Sequence, residues 1–255
     1  MIDLHSHLLP EIDDGSTSLQ ASLSLAQEAV NNGVTIALMT PHHKNGRYLN
    51  PKTEVVRLTE QFQKTLDFKK IPLKVFPSQE VRINGDLLQD IDNNDILFAD
   101  ESDKYLLLEF PDDDVPVFSG NMIFNLMQRG INVQITHPER NTKMMAQPDI
   151  LFNLIEKGAV AQITASSYVG LFGKPIRRFS ETIVSHNLAH VFVSDAHDLP
   201  KRHYVLHEAL DKLSNTMGRA YKDLFEANAE AILDGKSIKR LPPKKIVKRR
   251  FFNTF

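Results

Sequence analysis

Two histidines stand two residues apart near the start of the chain, in Ile2-Asp-Leu-His5-Ser-His7, and a turn through Pro10 follows with the acidic pair Asp13-Asp14 and then Gly15. In an extended segment residues i and i+2 point to the same side, so both imidazoles can reach one metal ion. Imidazole with carboxylate is a ligand set suited to Zn, Mn or Fe. An HxH pair alone is a weak sign, and its meaning depends on whether other ligands fall where a fold would gather them.

They do so repeatedly. Thr40-Pro-His42-His43 follows one apolar run, Ser78-Gln-Glu80 another, and Glu109 ends the run Tyr105–Leu108. His137-Pro-Glu-Arg140 closes Asn132–Thr136, and Ser194-Asp195-Ala-His197 closes Ala189–Val193. After Val160–Thr164 stand only the small residues Ala165, Ser166 and Ser167. Taken singly, a His or Glu just after a strand is usually a capping or solvated loop residue. His5, His7, Asp14, His42, Glu80, Glu109, His137, Asp195 and His197 together require that coincidence at six strand ends. Nine such groups exceed the needs of one ion and suit two or three, the usual apparatus for phosphate ester hydrolysis. Arg140 and Arg202 belong to the same loops. A guanidinium fork matches phosphate oxygens, although salt bridges to Glu139 or Asp198 would also account for them. His186, His190, His203 and His207 lie away from these ends and read as ordinary structural residues, while His43 is ambiguous.

The elements that must position these groups repeat a common unit. Residues 18–32 carry Leu19, Leu23, Ala26 and Val30 on one helical face, with Gly33 as a C′ cap. Asn50-Pro51 opens a further helix through Val55, Leu58, Phe62 and Leu66, and helices are expected at 119–129, 148–157, 175–186, 203–217 and 221–234. Seven strands separated by helices imply parallel βαβ units, and in a parallel barrel the βα loops converge at the strands' carboxyl ends.

Composition bounds the rest. A chain of 255 residues fits one α/β domain, and a hydrophobic share of 42% with 24% charged residues is that of a soluble globular protein. No membrane-length apolar stretch or signal peptide is seen, so a cytoplasmic location is expected. The absence of cysteine removes disulfides, thiolate ligands and a thiol nucleophile. Eight of the 30 Lys and Arg lie in residues 236–255, which hold no acid, so the rest of the chain carries 22 basic against 32 acidic residues. That tail reads first as a solvated end, and alternatively as a contact for a membrane surface or an acidic partner.

Together, His5-Ser-His7, Asp13-Asp14-Gly15, Thr40-Pro-His42-His43, Glu80, His137-Pro-Glu-Arg140 and Asp195-Ala-His197 resemble the polymerase and histidinol phosphatase (PHP) superfamily. Leu8-Leu-Pro10 running into Asp13-Asp14-Gly15-Ser16, with the HPER segment, resembles its CpsB-type protein-tyrosine phosphatases of bacterial capsule and exopolysaccharide operons. The resemblance spans Met1 to about Gly235, which would make 1–235 the barrel and 236–255 a basic tail. It implies a single-domain distorted (β/α)7 TIM-like barrel with two or three divalent ions, commonly manganese, with Fe, Zn, Mg or Co as other candidates. By motif position His5, His7, Glu80 and Asp195 would hold the first ion; Glu80, Glu109 and His137 the second; and Asp14, His42 and His197 the third. Arg140 and Arg202 would grip the phosphate. The implied activity is metal-dependent, cysteine-independent hydrolysis of phosphotyrosine in the tyrosine-rich tail of a bacterial autokinase, by attack of a metal-activated hydroxide. The alternatives are another PHP phosphomonoesterase, such as one for histidinol phosphate, a nuclease, and a non-catalytic docking module. The acidic body disfavours nucleic acid. Oligomeric state and the residues that meet the tyrosine ring are left open.

Overall fold

The apolar runs form strands and pair in parallel throughout, as the computed structural model describes for residues 1–247. One sheet has the order β1 (Ile2–Ser6), β2 (Ile36–Met39), β4 (Lys74–Pro77). The other runs β3 (His42–His43), β5 (Glu80–Arg82), β6 (Tyr105–Glu109), β7 (Asn132–Ile135), β8 (Val160–Thr164), β9 (Val191–Val193). Nine segments therefore stand where seven strands were expected, because two of them break. The second breaks at Thr40-Pro41, where proline has no N–H for the ladder. Its neighbour breaks at Ser78-Gln79. Backbone bonds cross both breaks, Ser78 N–H to Met39 O (2.8 Å) and Glu80 N–H to Pro41 O (3.1 Å). At the far side, Asp195 N–H donates to His5 O and His7 N–H to Ala196 O, each at 2.9 Å. The carboxyl end of β1 is thus tied to the segment leaving β9.

Helices fill the connections: α1 (Leu19–Asn31), α2 (Lys52–Lys69), α3 (Leu87–Asp92), α4 (Ser119–Gln128), α5 (Thr142–Ala146), α6 (Asp149–Glu156), α7 (Ala165–Val169), α8 (Lys174–Ser185), α9 (Leu206–Met217) and α10 (Arg219–Leu233). The expected amphipathic face of α1 is buried through Leu23 and Ala26, Ser18 caps its start, and Gly33 turns the chain away at φ +86°. Ser166 and Ser167, which follow β8, lie in the short helix α7.

Alternation along the strands separates core from chemistry. On β6, Tyr105, Leu107 and Glu109 share a face, and on β8 so do Val160 and Gln162. The first members of each row join Leu4, Val193, Ala229 and Ile232 in an apolar cluster that includes α10. The later members face the functional end. The larger core packs the helices onto the sheets' outer faces. Residues 236–244 run along the body rather than into solvent: Lys236 O accepts from Tyr105 (2.7 Å), Arg240 Nη1 donates to Gly158 O (2.7 Å) and Lys244 N–H to His186 O (2.8 Å). Lys248, Arg249 and Arg250 of the basic tail lie outside the described residues.

Candidate metal centre

The site begins where β1 ends. His5 Nδ1 lies 3.1 Å from Gln162 Oε1, and Gln162 Nε2 in turn donates to Gln134 Oε1 at 3.0 Å. An amide oxygen only accepts, so His5 carries its proton on Nδ1. His7 Nδ1 lies 2.6 Å from Asp13 Oδ2, and the same reasoning places its proton there. In their neutral, metal-binding forms both Nε2 atoms therefore present lone pairs, and they face each other at 3.1 Å. Two acceptors at that separation repel unless a cation lies between them or one ring takes a second proton. Glu80 Oε2 is 3.2 and 3.5 Å from these nitrogens, and Asp195 Oδ1 is 3.5 Å from each.

The cluster extends from Glu80. Its Oε1 lies 2.7 Å from His137 Nε2, and its Oε2 lies 3.0 Å from His42 Nδ1. Glu109 Oε2 is 3.5 Å from the same His42 atom. The other nitrogen of His42 lies 3.4 Å from Asp14 Oδ1, which is 3.6 Å from His197 Nε2. His197 Nδ1 donates to Asp195 O at 2.9 Å, so its Nε2 too is a lone pair. All nine residues named from strand ends thus fall in one network. Three sets bring their ligand atoms within 4.8 Å of one another: His5, His7 and Glu80; His42, Glu80 and Glu109; and His7, Asp14, His42 and His197.

Their chemistry fits divalent cations. His42 Nδ1, Glu80 Oε2, Asp195 Oδ1 and His197 Nε2 are buried without a well-formed hydrogen bond. Buried polar atoms are ordinarily paired, and the two carboxylate oxygens and His197 Nε2 are electron-pair donors aimed into the cluster. The electrostatics agree. Burial opposes the charged form of Glu80, yet His5, His42 and His137 hold its carboxyl well below the usual range. Burial likewise opposes ionised Asp195, but Arg140 and Arg202 outweigh it. The neighbouring imidazoles of His197 and His42 hold the Asp14 carboxyl low. Against its burial, Asp13 raises His7 to about 9, so at neutral pH its Nε2 holds a second proton until a cation displaces it, while Asp13 itself falls to about 2.

Both guanidinium groups bind one shared carboxylate, which is neither Glu139 nor Asp198, and Arg202 Nη1 also stands 4.0 Å from Asp14 Oδ2. Arg140 Nη1 and Arg202 Nη2 bind Asp195 Oδ2 at 2.7 and 2.6 Å. Glu139 is buried and accepts Thr164 N–H (3.1 Å), and Asp198 accepts Lys201 N–H (2.7 Å). Asp195 and His137 both hold left-handed backbone, φ +51° and +32°, which non-glycine residues adopt only where their surroundings insist. Gly15 is needed for a different reason: a Cβ there would stand 2.3 Å from His7 O. The close approach brings Asp13 and Asp14 to the histidines.

Several participants escaped the sequence reading. Asp13 appeared only as a motif member, although its side chain sets the His7 tautomer. Arg82, two residues beyond Glu80, donates from Nε to Glu109 Oε2 at 2.9 Å; its spacing along the strand was a usable sign. Gln134 and Gln162 carry no local signal that separates them from core polar residues. His43 is buried, 3.8 Å from Asp95, and His186, His190, His203 and His207 stand outside the network. A cavity of ≈ 460 Å³ opens onto the cluster, lined by Asp14, His42, Glu109, His137, Arg140 and Arg202 among others.

Residues 1–234 match the family model for capsular polysaccharide synthesis proteins CpsB/CapC. The tyrosine-protein phosphatase YwqE of Bacillus subtilis (strain 168) is 39% identical over 255 residues, with both chains covered in full. The putative tyrosine-protein phosphatase CapC of Staphylococcus aureus is 34% identical over 256 residues, with 99% of each covered. A solved structure described as one of YwqE from Bacillus subtilis and CpsB from Streptococcus pneumoniae, unique metal-dependent tyrosine phosphatases, superposes with a TM-score of 0.94 at 39% identity, covering 97% of this chain and 100% of that one.

Proposed function

The chain belongs to the CpsB/CapC family, and from that premise we propose that it is a metal-dependent protein-tyrosine phosphatase. The observation that carries the reading is the facing pair of His5 and His7 Nε2 lone pairs, 3.1 Å apart and ringed by Glu80 and Asp195. His5, His7, Glu80 and Asp195 would hold one ion, Glu80, Glu109 and His137 a second, and Asp14, His42 and His197 a third, with manganese the first candidate. Bound there, the ions supply an activated water and neutralise charge on the phosphoryl oxygens.

The chain's own residues do the rest. Gln162 and Asp13 fix the tautomers and ring planes of His5 and His7, which is how outer partners tune a metal ligand. Arg140 and Arg202 each engage Asp195 through one nitrogen, so further N–H donors on both are free to meet a phosphoryl group in the cavity. Arg82 restrains Glu109 at the cavity's edge. A phenolate of pKa ~10 leaves more readily than an alkoxide, so an aryl ester needs little help from a general acid.

The nine strand segments read as seven strands of a distorted (β/α)7 barrel, with the broken pairs counted as single strands and the β1–β9 backbone bonds as closure. We assign the barrel to residues 1–235 and a basic tail to 236–255. The substrate we favour is the tyrosine-rich tail of a bacterial autokinase in capsule or exopolysaccharide synthesis, met in the cytoplasm. No helix among the described residues is long and apolar enough to cross a membrane. The test is hydrolysis of a phosphotyrosine peptide before and after exhaustive chelation, then with manganese restored. Activity should vanish and return; full activity in stripped protein would overturn the proposal.

A further inference from the structure

Beside the metal ligands, one wall of the cavity has no part in the chemistry above. The segment after β3 turns through Lys44 (φ +57°) and Gly46 (φ +88°), and Asn45 Oδ1 accepts the N–H groups of Arg47 and Tyr48 at 3.0 and 2.8 Å. Its ends are pinned. Lys44 Nζ bonds the buried Asp90 at 2.5 Å, and Asn50 Nδ2 donates to the carbonyls of Ile12 and His42 at 3.1 and 2.8 Å. Gln79 Nε2 donates to Asn50 O at 2.6 Å from below. The segment is therefore set before any ligand arrives.

It presents Tyr48. The half-buried ring lies within 8° of parallel to the His42 imidazole, with centroids 6.1 Å apart, and the Arg47 guanidinium sits 4.9 Å from its centre. Arg47 and Tyr48 line the same cavity as Asp14, Arg82, Arg140 and Arg202. Among the described residues lining it, Tyr48 alone offers a phenyl face; the others are charged, amide or imidazole groups. A flat apolar ring carried in by a phosphate ester has one matching surface there. Stacking on a ring already fixed needs little ordering of the protein, and offset aromatic pairs gain beyond their buried area. A short alkyl phosphate presents no such face.

We propose, resting on the phosphotyrosine reading, that Tyr48 is the specificity-determining residue that selects aryl over alkyl phosphate esters, with Arg47 holding its ring in place. Binding of non-hydrolysable analogues isolates this from leaving-group chemistry. Inhibition constants for phenylphosphonate and ethylphosphonate are measured on the manganese-loaded full chain, as wild type, Tyr48→Ala and Tyr48→Phe. The wild type should favour phenylphosphonate. Tyr48→Ala should lower that preference roughly tenfold, and Tyr48→Phe should keep it. An unchanged preference in Tyr48→Ala, or equal weakening of both analogues, overturns the proposal and leaves the phosphatase reading standing. A wild type that binds neither phosphonate overturns both.

Discussion

Two cavities lie beside buried carboxylates, and the carboxylates differ in how their lone pairs are used. One of ≈ 780 Å³ is lined by Phe76, Phe98, Leu233, Asp100, Asp103 and Lys236 among others. Its buried acid, Asp100, accepts the N–H groups of Ser102, Lys104 and Tyr105 at 2.9, 3.0 and 2.8 Å. Those bonds fold the turn into β6 and use up the carboxylate. In the cluster onto which the smaller cavity opens, Asp195 turns one oxygen to two arginines and leaves the other, like Glu80 Oε2, without a hydrogen bond. Volume does not distinguish a site from a crevice here; unspent lone pairs do.

Substitutions should sharpen that contrast. Asp195→Ala removes a ligand and strands two arginines, so turnover of a phosphotyrosine peptide should fall on the order of 10³-fold, with metal content reduced in elemental analysis. Asp13→Asn should act one step back, weakening metal binding roughly 10–100-fold in a competition titration while the fold persists by circular dichroism. If Asp13→Asn were as silent as a surface change, the tautomer argument for His7 would fail. Asp100→Ala belongs to the other side. It should cost about 1–3 kcal/mol of stability through three orphaned N–H groups, seen in urea unfolding, and leave kcat/KM near the wild-type value. Loss of activity without loss of stability there would erase the distinction between the two regions.

The last effect appears only in acid and is nil at neutral pH. Burial, and then Arg240, hold the His190 imidazole down at about 3, so it stays neutral in the fold. The unfolded chain protonates it near 6.5 and binds more protons between those values. Its contribution is therefore complete above pH 6.5 and is lost as pH falls toward 3. His190→Gln should flatten the acid side of the stability curve, and an unchanged slope would contradict this.

What the sequence made legible followed from periodicity and punctuation. The helix faces, the glycine stops and the polar residues at strand ends all reflect local rules, and residues such as Leu23 and Glu109 stand where those rules place them. What escaped depended on pairing across the fold. The short strand His42–His43 beyond Pro41 is not announced by the apolar run that ends at Met39. The shared hold of Arg140 and Arg202 on Asp195 joins the loops after β7 and β9, and Gln162 meets His5 across 157 positions of chain. Tyr48 is seen as part of the cavity only once the Asn45 turn places it. Composition marks the basic tail but says nothing of the backbone bonds that seat residues 236–244.

The central claim is that His5 and His7 turn lone pairs toward a shared cation. Anomalous diffraction from a manganese-soaked crystal tests it most directly. The account predicts a peak within about 2.0–2.3 Å of both Nε2 atoms, with the rings still bonded to Gln162 and Asp13. Diffraction showing no peak there, with the two rings joined instead by a shared proton, would contradict it.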